Sequence, residues 1–263
     1  DISPGLHAFS IVGLPDTAIH EAKERVRSAV KHADLDFPHT RVTVNLAPAH
    51  LKKIGTLFDL PIALAILMAH GSLPTEKIPP TIFAGELALN GDLRPIHGAL
   101  SLALLAKESG VRELILPIEN AREAALVDQI IIRPAKHLRE VIAHVCGRET
   151  LSSIPHQPPQ SIQTLRPLQD FSSIRGQEQA RRALEIAAAG GHNLIMQGPP
   201  GSGKTLLART FPSILPRMTL EEILESTRIH SVAGMLPTEG AIQERPFRSP
   251  HQSASTISLV GGG

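Results

Sequence analysis

Eight residues constrain this chain more than any other stretch. Gly198-Pro199-Pro200-Gly201-Ser202-Gly203-Lys204-Thr205 fits G-x-x-x-x-G-K-[ST] at every position. Glycines let successive backbone N–H groups curl around an anion where a Cβ would collide. The spacing puts the Lys204 ammonium within reach of the β- and γ-phosphates of a nucleotide, and the Thr205 hydroxyl where it can ligate Mg²⁺. Both flanks suit the motif. Residues 193–197 read as a short apolar strand, and residues 206–214 read as a helix that starts near Gly203 and turns its positive end toward the same anion. The loop from Gly198 to Thr205, with Leu206 after it, is therefore the candidate site for ATP and Mg²⁺. Lys204 and Thr205 are the candidate catalytic residues, with Thr205 as metal ligand. No apolar strand ending in Asp-Glu follows between Thr205 and Gly263. Hydrolysis is thus an inference, with the acidic residue expected beyond this stretch, unless the unit only binds nucleotide.

A length of 263 residues suggests about two domains. Hydrophobic residues make up 42% and charged residues 19%, which excludes a disordered chain. Lys plus Arg is 26 against 25 Asp plus Glu, a balance that excludes a polycationic DNA-coating protein and leaves room for a local basic groove. The single cysteine, Cys146, excludes an internal disulfide framework and any multi-cysteine metal site, and reads as a small apolar filler. Aromatics amount to 3%, with no Trp and no Tyr, so a row of stacked aromatics for single-stranded nucleic acid is not expected. The longest apolar run, 57–69, contains Asp59 and Pro61 and is shorter than the roughly 18 residues needed to span a bilayer. It reads as a buried helix. A cytoplasmic protein with no membrane contact is expected. Asp1 is not a start methionine and the glycines at 261–263 end the chain in mid-phrase, so it reads as part of a longer protein.

Along the chain, residues 1–148 read as one α/β unit. A strand at 9–14 leads to a helix capped by Asp16 and running to His32, then a strand at 41–46 and the buried helix at 57–70, stopped by Gly71. A strand at 81–89 leads through the Asn90-Gly91 hairpin signal into 92–94. A helix at 99–109, short strands at 113–116 and 129–132, and helices at 121–126 and 137–145 complete the unit. Residues 149–169 hold Pro155, Pro158, Pro159 and Pro167 with little periodicity and read as a linker. A second unit, 170–263, opens with an amphipathic helix at 177–189 ended by Gly190-Gly191, followed by the strand and loop described above. No close pair of histidines or carboxylates marks a metal site, and His7, His20, His32 and His39 lie in loop or charged sequence.

Residues 174–193, from Ile174-Arg175-Gly176-Gln177 to Gly190-Gly191-His192-Asn193, followed by the phosphate loop, resemble the magnesium-chelatase-like branch of the AAA+ ATPases. The run Arg245-Pro246-Phe247-Arg248-Ser249-Pro250-His251, closing on Leu259-Val260-Gly261-Gly262-Gly263, is similar to the bacterial ComM/YifB family. That family usually has a second histidine where this chain has Gln252. Val12-Gly13-Leu14-Pro15, Asn45-Leu46-Ala47-Pro48, Asp59-Leu60-Pro61-Ile62-Ala63 and Gly85-Glu86-Leu87-Ala88-Leu89 are phrases of the same family. The resemblance covers nearly the whole chain. It implies an N-terminal α+β domain with the Lon-protease fold (ribosomal S5 domain 2-like), then the start of a P-loop AAA+ α/β domain that is cut before its Walker B acid. It implies a homo-hexameric ring and an ATP-dependent DNA motor, a helicase-type enzyme that moves branch points in homologous recombination during natural transformation. Ile174 and Gly176 fall where the adenine is usually held, although Ile174 reads equally as a core residue. Residues 245–248 are expected to form a strand. Arg248 and His251 would then face the pore or a neighbouring subunit, or simply solvent.

The same resemblance raises the question of peptidase chemistry. Lon-type enzymes pair a Ser nucleophile with a buried Lys base. Here Asp59 falls at about the nucleophile position and Leu100 at the base position, so neither role can be filled. Thr56 with Lys52 or Lys53 would be a displaced pair with no shared face. A scaffold, or a DNA- or partner-binding collar, is the expected role of this domain. Three readings therefore compete: a DNA motor with salt-sensitive phosphate contacts, a magnesium-chelatase-type ATPase that remodels a protein partner, and an ATP-dependent Lon-like protease.

Overall fold

The computed structural model describes residues 1–74, 78–159, 170–237, 240–251, 253–255 and 257. Expectations that fall on Gln252, on 258–263 and on linker residues 160–169 lie outside the described residues. The chain is mixed α/β with a parallel sheet, and it divides into two compact units. The first comprises Asp1–Pro158 with Thr227–Ala241, and the second Pro159–Ser226 with Ile242–Gly263. The sequence boundary at 148 and an unbroken second unit from 170 therefore differ from this division. Residues 149–158 and 227–241 go with the first unit.

Among the described residues, the first unit holds two three-stranded sheets and a two-stranded one. β1 (Ile2–Ser3) pairs antiparallel with β3 (Arg41–Asn45), and β2 (Ala8–Val12) pairs parallel with β3, giving the order β1-β3-β2. β4 (Thr81–Phe83), β7 (Glu113–Pro117) and β8 (Ile131–Ala135) form an all-parallel sheet in the order β4-β7-β8. α1 (Thr17–His32) starts where expected because the Asp16 carboxylate accepts the Ile19 N–H at 2.9 Å. Its inward stripe of Ile19, Ala22, Val26 and Ala29 packs with α2 (Asp59–Ala69) in one continuous core. Leu60, Ala63 and Leu67 of α2 have no exposed surface, as an all-round apolar helix requires. α2 starts two residues later than expected, because Pro61 has no N–H to give the Leu57 carbonyl, which accepts the N–H of Gly85 instead.

That contact also explains why the expected strand over 81–89 is two strands. At Ala84-Gly85 the chain leaves β7 and turns to α2, where the Gly85 carbonyl accepts Leu60 N–H at 3.0 Å. It then resumes as β5 (Glu86–Leu87), which pairs across the hairpin with β6 (Leu93–Arg94). α3 (Ala99–Glu108), α4 (Ala121–Ala124) and α5 (Leu138–Val145) fall close to their sequence positions. β8 is displaced by two residues from 129–132, because Gln129 takes a left-handed φ of 65° and ends the preceding turn.

The first half of the expected linker is strapped down. Ile154 N–H donates to Ile132 O at 2.9 Å, and Gln157 N–H donates to Ala125 O at 2.8 Å. The Leu151 carbonyl accepts from Arg133, and the Leu151 N–H donates to His144 Nδ1 at 3.2 Å. A segment too poor in apolar residues to order itself is ordered here by the exposed edge of β8.

The second unit has a small core of Phe171, Ile174, Leu184 and Leu207, where α6 (Glu178–Gly190) meets α7 (Lys204–Thr210). Two expected strands are absent. Residues 193–197 have no ladder partner among the described residues, and Ile195 is 97% exposed. Residues 245–248 likewise form no strand. Arg245 is instead spent on side-chain bonds, donating from Nε to Pro216 O at 2.7 Å and from Nη2 to both Glu222 carboxylate oxygens at 3.0 Å. A strand exists only where a neighbour supplies the other half of each hydrogen bond.

α8 (Leu220–Val232) was not signalled by its weak apolar periodicity, yet it opens on a reciprocal capping box. Thr219 N–H donates to Glu222 Oε2 at 2.8 Å, and Glu222 N–H donates to Thr219 Oγ1 at 3.2 Å. The Thr219 backbone and Arg245 together hold the Glu222 carboxyl below its ordinary value of 4.5. A carboxylate with a lowered folded value stabilises most above its unfolded value and loses that contribution as pH falls through the lowered one. Protection factors of the first-turn amides of α8 should therefore fall between pH 7 and pH 3. Thr219→Ala should reduce them about fivefold at pH 7. Protection that is independent of both changes would remove the capping assignment.

Candidate functional site

The glycine loop is shaped by its own backbone. Gly203 is the residue before α7 and sits at φ 86°, ψ 6°, a left-handed conformation that lets the chain pass from loop to helix within one residue. The Gly203 carbonyl then accepts Leu207 N–H at 3.0 Å, closing the first turn. Lys204, the first helical residue, folds back over the loop. Its Nζ donates to Gly198 O and Pro199 O, both at 2.8 Å, and to Ser202 Oγ at 3.2 Å. The ammonium is thus fixed among the loop carbonyls.

Beside it lies a cavity of about 330 Å³, within the range usual for small-molecule sites, bordered by Gly198, Pro199, Ser202 and Lys204 on the loop side. Also lining it are Gln177, just before α6, Ala180 of α6, Leu194 and Met196. Four of the loop residues singled out in the sequence therefore meet around one space. Thr205 and Leu206 are exposed on α7, and Pro200, Gly201 and Gly203 shape the loop without bordering the cavity. Gly176 is exposed at φ 64°, and Ile174 is buried in the core with Leu184 and Leu207, so neither borders the cavity. Gln177, Ala180, Leu194 and Met196 were missed. Gln177 is placed there by its left-handed conformation at φ 53°, just before the first turn of α6, which no local sequence pattern signals.

The donor set fits a nucleotide with Mg²⁺. A fixed ammonium, a glycine-built loop and a half-apolar cavity suit a triphosphate joined to a flat base. The exposed Thr205 hydroxyl, on the residue after Lys204, offers the oxygen ligand that Mg²⁺ prefers. Among the described residues no group of three or more His, Cys, Asp or Glu side chains is arranged to hold a metal ion. Arg248 and His251 lie in the irregular segment after Arg245, where His251 Nδ1 is 2.7 Å from Ser253 Oγ.

In the first unit, the positions compared with a Ser-Lys dyad are committed elsewhere. Asp59 has no exposed surface, and its carboxylate is clasped by Arg25 through Nε at 2.6 Å and Nη2 at 3.1 Å. Leu87 N–H adds a third bond at 3.2 Å. Burial pushes the Asp59 carboxyl above its ordinary range against the pull of Arg25, while the bond to Asp59 holds the Arg25 guanidinium above its own. Leu100 is fully buried in α3. Lys53 is buried with its Nζ donating to Pro48 O, whereas Lys52 is exposed.

Comparison with known proteins gives consistent matches. Residues 1–120 match the family described as subunit ChlI of Mg-chelatase, and residues 170–263 match magnesium chelatase, subunit ChlI. The uncharacterized protein YifB of Escherichia coli is 44% identical over 263 residues, covering 100% of this chain and 51% of YifB. The competence protein ComM of Haemophilus influenzae is 43% identical over 264 residues, covering 100% of this chain and 52% of ComM. The chain thus spans about half the length of these relatives. A weaker match, 25% identity over 157 residues, joins 55% of this chain to 19% of the Lon protease of Rhizobium meliloti. No helix among the described residues is long and apolar enough to cross a membrane.

Proposed function

Because the chain belongs to the magnesium-chelatase ChlI family, with YifB and ComM matching it from end to end, we propose that it binds ATP with Mg²⁺ and is part of an AAA+ motor acting on DNA. The observation that carries this reading is the Lys204 ammonium, fixed over Gly198 and Pro199 at the edge of the 330 Å³ cavity. Lys204 would bind the β- and γ-phosphates as a point charge, the loop N–H groups would hold their oxygens, and Thr205 would ligate Mg²⁺. Gln177, Leu194 and Met196 would border the base or sugar. Bound ATP supplies the free energy of phosphoryl transfer to water, which a motor converts into movement.

The step from ATP to DNA rests on the relative named as a competence protein, since competence is the capacity to take up DNA. In this reading the whole protein works as a homo-hexameric ring in the cytoplasm and moves branch points during recombination in natural transformation. A near-neutral chain suits it, because a ring needs only one or two cations per subunit at its axis to hold a phosphate backbone. The family description favours a second reading, an ATPase that remodels a protein partner in the manner of a chelatase subunit.

The ATPase rate of the full-length protein separates the two, measured without DNA, with linear DNA and with a four-way junction, at low and high salt. Stimulation by the junction that fades with salt is the expected result. Turnover that ignores every DNA would transfer the assignment to the protein-remodelling reading.

A further inference from the structure

Residues of the first unit line a cavity of about 260 Å³. They come from the turn before α3, from the stretch that enters α4, and from the segment around Ser231 and Gly234. Three of the polar side chains that border it are almost fully buried. Ser231, Glu123 and Asn120 are 3%, 5% and 6% exposed. Buried polar groups need partners, so their bonds can be followed one by one. Asn120 spends its whole amide on the backbone of Ile96, accepting N–H at 2.9 Å and donating to O at 2.8 Å. The Ser231 hydroxyl accepts Gly98 N–H at 2.9 Å and donates to Glu123 Oε1. That same oxygen accepts Leu100 N–H at 2.7 Å. Two orphan N–H groups at the start of α3 are thereby satisfied without a local cap.

One atom is left over. Glu123 has no hydrogen bond on Oε2 and no ion pair among the described residues. The positive end of α3 offsets part of its charge on the Oε1 side. A carboxylate this buried, with neutral donors on one oxygen alone, is still short of a counter-charge. Oε1 is taken up toward α3, so Oε2 is the oxygen available to whatever fills the cavity.

The lining specifies that occupant. Two carboxylates, Glu123 and the exposed Glu119, border the cavity against one guanidinium, the exposed Arg122, so a cation is favoured. Ile96, Leu236 and Pro237 give an apolar stretch for an alkyl stem. The volume is below the roughly 300–1,000 Å³ usual for drug-sized ligands, which suits one short chain. A guanidinium gains most from gripping two oxygens at once, and Oε1 already has two donors, whereas an ammonium needs a single oxygen. We propose that this cavity binds a primary ammonium on a short alkyl stem, with Glu123 as its counter-charge. A free alkylamine and the side chain of a lysine on another polypeptide share that chemistry. No residue of the glycine loop borders the site.

Amide chemical shifts of the full chain test this during titration with n-butylammonium, n-propylguanidinium and Nα-acetyl-lysinamide, at constant ionic strength. n-Butylammonium should shift the Gly98 and Leu100 amides saturably and leave Gly203 in the glycine loop unaltered. n-Propylguanidinium should bind about threefold more weakly or worse. Glu123→Gln keeps an oxygen for Leu100 N–H and removes the charge. It should weaken n-butylammonium about tenfold or more, with a melting temperature no lower than that of the unsubstituted chain. Arg122→Met changes an exposed residue, so the fold is not at stake, and it should tighten the amine about twofold. A saturable response to Nα-acetyl-lysinamide assigns the site to a lysine side chain, and a response to n-butylammonium alone assigns it to a free amine. No saturable response to either amine overturns the site, which is the result that a glutamate serving solely to cap α3 would give. Amine binding that survives Glu123→Gln unchanged overturns Glu123 as the counter-charge. Equal binding of the guanidinium overturns the choice of an ammonium.

Discussion

Lys204→Ala weakens ATP binding about 100-fold or more and leaves the melting temperature of the first unit unchanged: that is the expected result with the largest functional effect. The magnitude follows from the bonds at stake. Nζ carries three donors, and each charge-assisted bond to a phosphate oxygen is worth roughly 1.5–3 kcal/mol, so even one net loss approaches two orders of magnitude. Stability should change little because, among the described residues, the hydrogen bonds of the ammonium go to Gly198, Pro199 and Ser202 of its own loop. Titration of a fluorescent ATP analogue, with thermal unfolding alongside, makes the comparison. Unchanged affinity in the variant would remove the loop from the site. Lys204→Arg should also bind poorly, because a planar fork does not occupy the position of a compact ammonium.

The largest structural effect is expected from Asp59→Ala. It leaves the Arg25 guanidinium, 17% exposed, with only the distant, exposed Glu21 carboxylate at 3.9 Å, and strips the Leu87 N–H of its acceptor. Removing one partner of a buried ion pair costs about 3–5 kcal/mol, because the remaining charge is left uncompensated. Replacing both, as in Asp59→Leu with Arg25→Met, should recover most of that loss, since an apolar pair of similar volume avoids desolvation altogether. Denaturant unfolding of the single and double variants measures the difference. Equal destabilisation of the two would mean that packing, and not charge, holds α1 against α2. A carboxylate with three bonds already made is an anchor between two helices.

Much of this architecture was legible before any coordinates. The Asp16 cap, the buried helix ending before Gly71, the Asn90-Gly91 hairpin and the phosphate loop all carry their instructions within a few residues, so local chemistry suffices. The misreadings have a common origin in partners that sequence does not display. A strand over 193–197 needs a neighbour to pair with. The break at Ala84-Gly85 exists because the start of α2 takes up Gly85. Ile174 reads equally as a base contact or as core until Leu184 and Leu207 close around it. The linker looked free because its order is supplied by Ile132, Arg133 and His144. α8 carries a capping box at Thr219 and Glu222, a local signal that the sequence does hold.

The division of the first unit between Asp1–Pro158 and Thr227–Ala241 has a consequence for how the protein is made. Domains fold as units, N-terminal first, while the chain is still emerging from the ribosome. In this one, the corner at Gly98 and Glu123 is completed by a residue outside the first 158. The N–H of Gly98 and the carboxylate of Glu123 wait for Ser231, and so for the glycine loop and most of α8 to be translated. The glycine loop is translated while that corner of the first unit is still open, and the ribosome's progress from residue 158 to residue 231 sets the interval in which the corner is exposed.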